Sequence, residues 1–256
     1  MKKLLKYDFL DNYTSILLIN VLVFFSIIGA SFFSKLSFYE NRFLGIFVVI
    51  FYIILFICLG LWFVVLVLAI LNSINKKLFC PQGYLTFSLP LSIDTILIAK
   101  ILINLFWIAI SLVLFYLALY IGANINPNVQ NIISSIYEYV FSNPLNAFLS
   151  HLSTLVSIAL VLIEFLFILS LLNIGKIKKH RFIAGIFIFL GLEIIIGVCK
   201  SIIWGLLPNF YVDYLSQITL YPLVQFFTFN IGVNVIEFII FYFLTRFLIK
   251  NKLELE

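Results

Sequence analysis

The chain has 256 residues, of which 64% are hydrophobic and only 11% charged, and its mean hydropathy is +1.21. Soluble domains carry roughly a quarter charged residues, so the composition excludes a water-soluble globule and indicates one integral membrane domain over the whole length, 1–256. A net charge of +5 does not indicate a nucleic-acid partner here, because the basic residues gather at the ends of apolar runs, as positive-inside charge does.

In chain order, Met1 to Asn12 sets Lys2, Lys3 and Lys6 against Leu4, Leu5, Phe9 and Leu10, a pattern that predicts a short interfacial helix. A first span follows over about Tyr13 to Phe33. Gly29-Ala30-Ser31 has the small residues of a cleavage site, but Asp8 and Asp11 interrupt the basic lead and the apolar run is long, so an uncleaved span is expected. The second run, about Leu44 to Leu71, exceeds the ~20 residues needed to cross a bilayer, which predicts tilt or projection. A polar loop from Asn72 to Lys100 precedes the third span, about Ile101 to Ile121.

Gly122 to Asn146 lacks Lys and Arg and reads as an external loop. Within it Ile132, Ile133, Ile136, Tyr137, Val140 and Phe141 recur at helical spacing, as in a helix lying on the surface. The fourth span covers about Phe148 to Leu172, and a basic linker holds Lys176, Lys178, Lys179, His180 and Arg181. The fifth span covers about Phe182 to Trp204. Gly205 to Pro222 is aromatic and bounded by prolines, too apolar for a free loop and too broken for a span, so it reads as an external re-entrant segment. The sixth span is about Val224 to Ile249. The fold class expected is all-α, with six transmembrane helices.

Of the 16 Lys and Arg residues, all but Lys35, Arg42 and Lys200 fall on one side, with the N-terminus, the Asn72–Lys100 loop, the fourth–fifth linker and the C-terminus. By the positive-inside rule that side is cytoplasmic, and both termini lie there.

The Asn72–Lys100 loop has internal structure of its own. Pro81 suits a first helical position, where its missing N–H is not needed, and Pro90 stops the turn that Tyr84, Leu85, Phe87, Ser88 and Leu89 continue. Ser92 is a candidate N-cap for the helix entering the third span, and Asp94 stands near that helix's positive end. The expected result is a short cytoplasmic helix, a proline break and a new helix. The residue types alone fit a transmitter of force and an ordinary interfacial connector equally.

The pattern Gly83-Tyr84-Leu85-Thr86-Phe87-Ser88-Leu89-Pro90-Leu91-Ser92, followed by an apolar stretch and Lys100, resembles the cytoplasmic loop of type-2 ATP-binding-cassette (ABC) permeases. The lead Lys2 to Phe9 also resembles that of bacterial members, and the six-span order covers the whole chain. The pattern departs at Ile93-Asp94, where members often carry a basic residue. The resemblance implies a coupling helix at Gln82, Gly83, Tyr84, Leu85, Thr86 and Phe87 that docks on a separate ATPase subunit. It also implies a second permease copy or a related permease, and an external gate over Gly205 to Pro222. No G-x-x-x-x-G-K-[ST] loop occurs in the chain, so ATP and magnesium would bind the partner, and the chain itself is expected not to be an enzyme.

Glu164, Glu193 and Glu237 lie near the middle of the last three spans, where a charge costs roughly 2.5–3.5 kcal/mol on insertion scales and normally faces protein or water. Ser153, Ser157 and Glu164 share one helical face, as do Asn230, Asn234 and Glu237. These residues fit either a polar path or proton relay, or hydrogen bonding between helices. Lys200 lies two turns beyond Glu193, too far for contact along one helix, and its length lets it snorkel outward instead. His151 and His180 lack neighbours at metal-ligand spacing, no nucleophile–base pattern occurs, and Cys58, Cys80 and Cys199 form no C-x-x-C pair.

The leading expectation is therefore an ABC exporter permease in a bacterial plasma membrane, in contact with lipid, moving an amphipathic or hydrophobic substrate such as a peptide toxin or antimicrobial peptide. The alternatives are a proton-coupled secondary transporter acting through the buried Glu residues, and a non-transporting immunity or sensor protein.

Overall fold

The computed structural model describes residues 2–37, 42–79, 82–88, 91–126, 130, 134, 144–174, 180–205 and 220–252. Among them the chain forms seven α-helices and no strand: α1 (Lys2–Ser37), α2 (Arg42–Leu78), α3 (Gln82–Ser88), α4 (Ile93–Ile125), α5 (Pro144–Ile174), α6 (Arg181–Gly205) and α7 (Leu220–Lys252). Six of these are long and apolar enough to cross a membrane, at Tyr13–Leu36, Gly45–Leu78, Ile93–Ile125, Pro144–Ile174, Ile183–Ile203 and Phe226–Asn251. An apolar run in hydrocarbon must satisfy its own backbone polar groups, which selects helix for each of them. Phe56, Phe187, Ile194 and Ile236 stand more than half exposed, an arrangement that water penalises and lipid does not. The chain is a multi-pass, all-α membrane protein.

Several helix ends differ from the sequence reading. The expected lead and first span are one continuous helix, because no Pro or Gly interrupts Lys2 to Ile28. The second apolar stretch extends to 34 residues, through Asn72 to Leu78, since Ile74 and Leu78 are fully buried and carry the helix onward. The helix of the sixth span, α7, begins at Leu220, with Pro222 in its first turn, where a missing N–H breaks no bond. Leu220 to Pro222 is therefore helical rather than part of the expected re-entrant segment, whose residues 206–219 lie outside the described residues. So do the predicted surface positions Ile132, Ile133, Ile136, Tyr137, Val140 and Phe141, the linker residues Lys176, Lys178 and Lys179, and Cys80.

The chain divides into two compact units. One comprises Met1–Ser73 and Leu102–Ser142, the other Ile74–Ile101 and Asn143–Glu256. In the first unit, Ile16, Leu66, Ala69, Ile103 and Trp107 make one buried cluster, and Val23, Ile27 and Ala118 make another. Phe9 stacks on Trp107 at 4.6 Å and Phe33 on Phe51 at 4.3 Å. Lipid tails are as apolar as these side chains, so packing and polar contacts, rather than escape from water, hold such helices together. Trp62 Nε1 donates to Asn20 Oδ1 (2.6 Å), Asn20 Nδ2 donates to Ser111 Oγ (2.9 Å), and Ser111 Oγ donates to the Trp107 carbonyl (2.9 Å). That chain of bonds links α1, α2 and α4 through groups that hydrocarbon could not satisfy.

In the second unit α5 packs mainly on α7 and more sparsely on α6. His180 holds a left-handed backbone (φ 57°), and its carbonyl accepts from Ala184 N (3.0 Å) to open α6.

Candidate functional site

The faces that helical spacing assigns to α5 and α7 meet. Asn230 Nδ2 donates to Ser153 Oγ (3.2 Å), and Asn234 Nδ2 donates to Ser157 Oγ (3.0 Å). Both pairs are separated by 77 residues in the chain, so the two helices run parallel, with one rung per turn. Ser157 Oγ also donates to the Ser153 carbonyl (2.9 Å), which fixes its lone pairs toward Asn234. Along the same faces the ladder leads to Glu164 on α5 and Glu237 on α7.

Lys200 on α6 does not snorkel outward. Its ammonium donates to Asn234 Oδ1 (3.2 Å) and lies 2.7 Å from Glu237 Oε2, an ion pair whose angles fall outside hydrogen-bond geometry. A neighbouring helix offering a carboxylate and an amide oxygen holds a cation better than the distant headgroups do, which overturns the outward reading. Glu164 is only 3% exposed, and its carboxyl shares a side-chain hydrogen bond with Glu193 of α6. Glu193, Glu237 and Lys200 all lie close enough to act on it electrostatically. Glu193 on α6 is exposed at the edge of the group. The five residues expected to line a path or bridge helices, Glu164, Glu193, Glu237, Asn230 and Asn234, thus form one polar seam, together with Ser153, Ser157 and Lys200.

A second cluster is built around the short helix. Gln82, Gly83, Tyr84, Leu85, Thr86 and Phe87 all fall within α3. Gly83 is buried, Thr86 and Phe87 are half-buried, and Ser88 is exposed. A Cβ on Gly83 would meet the Leu78 carbonyl oxygen at 2.5 Å, so the end of α2 and the start of α3 approach as closely as only glycine permits. Ser92 caps α4 as expected. Thr95 N donates to Ser92 Oγ (3.2 Å), Ile96 N donates to the Ser92 carbonyl (3.2 Å), and the two hydroxyls of Ser92 and Thr95 lie 2.8 Å apart.

Asp94, in the first turn of α4, gains partners that the sequence reading missed. Tyr242 Oη donates to its Oδ1 (2.7 Å), and Arg246 reaches its Oδ2 (2.9 Å). Tyr242 and Arg246 are four residues apart on α7, so a single helical face presents both. The signal was there in that spacing, but nothing in the sequence pairs it with a carboxylate 148 residues away. The Asn20–Trp62–Ser111 bonds were missed for the same reason. Among protein-family models, curated proteins and solved structures, no match to this chain is found.

Proposed function

We propose that the chain is the membrane-spanning permease subunit of an ATP-driven exporter, a type-2 ABC permease that works with a separate ATPase. The observation that carries this reading is the short helix α3 between two spans, held against α2 through Gly83 and followed by the capped start of α4. Seven residues framed by Pro81 and Pro90 are too short to be stable alone and too well anchored to be a passive linker. A push on such an element passes directly into the helices on either side. In this reading both termini and α3 face the cytoplasm of a bacterial cell, a second permease copy or relative completes the path, and the cargo is an amphipathic peptide.

The chain has no G-x-x-x-x-G-K-[ST] loop, so in this reading ATP hydrolysis falls to the partner. Affinity capture of the full chain in mild detergent tests this. A co-purifying ATPase is expected, with hydrolysis stimulated by the permease and stimulation lost in Tyr84→Asp and Phe87→Asp. A correctly folded permease that brings down no ATPase would overturn the proposal. The seam of Glu164, Glu193 and Glu237 favours a second reading, transport driven by protons, which predicts uptake or efflux under a membrane potential with ATP absent.

A further inference from the structure

α5 and α7 are joined by the Asn230–Ser153 and Asn234–Ser157 rungs and, further along, by Phe167 against Phe241 at 5.2 Å. α6 is held differently. None of residues 183–203 is buried, and the packing of α6 thins from one end to the other. Near its start, a Cβ on Gly185 would meet Leu172 Cδ1 of α5 at 3.2 Å, and one turn on Phe189 lies 5.4 Å from Phe165. Beyond that point a Cβ added at Gly191 or Gly197 would meet nothing within 4 Å. Glu193 reaches Glu164 of α5 by a side-chain hydrogen bond, and Lys200 then crosses to α7, 2.7 Å from Glu237 Oε2 and 3.2 Å from Asn234 Oδ1.

Lipid tails replace apolar helix neighbours at little cost, so close packing and polar contacts decide where a span stays. On α6 the close packing lies at Gly185, and the Lys200 contacts lie roughly 22 Å further along the helix. One end is therefore a pivot and the other is tied by a polar pair. The side chains of Lys200 and Glu237 are 30% and 13% exposed, so the pair sits at an open edge, where it can part without unpacking α5 from α7. We infer that α6 is a displaceable helix that swings about Gly185, and that the contacts of Lys200 with Glu237 and Asn234 are the latch that holds it closed over the α5–α7 seam. A tilt of about 15° on that arm moves its far end about 6 Å and opens the seam sideways into the bilayer. The inference rests on the transport reading only for the use of such an opening, which is the passage of cargo.

Spin-label distance distributions on the full chain in phosphatidylcholine nanodiscs, without an ATPase and with the native cysteines replaced, test the latch. Labels at exposed Ile202 and Val235 read the latched end, Ile183 and Phe247 the pivot end, and Leu155 and Val235 the α5–α7 pair. Lys200→Met keeps the length of the side chain and removes its charge, and Glu237→Gln removes the opposite charge. In both variants the 202–235 distribution should broaden or gain a component several ångströms longer, while the 183–247 and 155–235 distributions stay as in the wild type. A 202–235 distribution unchanged in both variants overturns the inference, because α6 is then fixed by something other than Lys200. Broadening of 155–235 in step with 202–235 also overturns it, since the pair would then hold the whole bundle rather than one helix. If Lys200→Met does not fold, Glu237→Gln decides, and failure of both to fold counts against a latch that α5 and α7 can do without. A displaced α6 in a chain that captures no ATPase would remove the ABC reading and leave the latch, and a captured ATPase with an immobile α6 would do the reverse.

Discussion

A methyl group added at Gly83 would have to displace the backbone carbonyl of Leu78, which cannot rotate away as a side chain would. Gly83→Ala is therefore expected to destabilise the fold by about 1–3 kcal/mol, the usual cost of overpacking. Gly60→Ala is the control, because nothing lies within 4 Å of its added methyl group and alanine favours helix. Thermal unfolding of the purified protein in detergent should separate the two, with Gly83→Ala lowered and Gly60→Ala unchanged or raised. At the other cluster, removing Lys200 or Glu237 singly leaves its partner without a counter-charge. Each single variant should cost about 1.5–3 kcal/mol, and the double variant less than the sum, as read by a double-mutant cycle on the same unfolding signal. Additive losses would mean that the 2.7 Å pair contributes no coupling. Residue identity alone told only part of this. Glu164, Glu193 and Glu237 stand out because carboxyls are rare in spans, while the direction of Lys200 depends on which helix lies beside it, and that is a tertiary fact.

Elements show the same division between what is local and what is not. The α3 helix and the Ser92 cap follow from bonds within a few residues and were legible, while Pro81 and Pro90 lie outside the described residues. The faces of α5 and α7 were legible as well, because the spacing of Ser153, Ser157 and Glu164, and of Asn230, Asn234 and Glu237, is a property of each helix by itself. That the two faces would meet rung by rung was not, and neither was the pinning of Asp94 by Tyr242 and Arg246. This pin joins the start of α4 to α7. Its ion pair is partly exposed, so its net contribution is about 0.2–1 kcal/mol, and the phenol hydrogen bond adds a similar amount. Asp94→Ala removes both contacts together with a favourable charge at the helix N-terminus, so it should lower stability more than Arg246→Ala or Tyr242→Phe does. An equal loss in all three would show that the two contacts do not contribute independently and that the charge at the helix N-terminus adds nothing.

For the whole molecule, composition and run length sufficed to identify a multi-pass helical membrane protein, since hydrocarbon leaves a long apolar segment no other economical structure. Orientation rests on the basic residues. A cysteine at exposed Ser88, in a chain whose own cysteines are replaced, should be labelled by an impermeant maleimide only when the cytoplasmic face is accessible. The proposed function rests on α3 meeting a motor. The most direct measurement is a photo-crosslinker placed at Phe87 in the intact membrane, followed by identification of what it captures. The account predicts a polypeptide carrying a G-x-x-x-x-G-K-[ST] loop, with capture that changes between nucleotide-free and ATP-bound states. Capture of lipid alone, with the chain folded and correctly oriented, would contradict it.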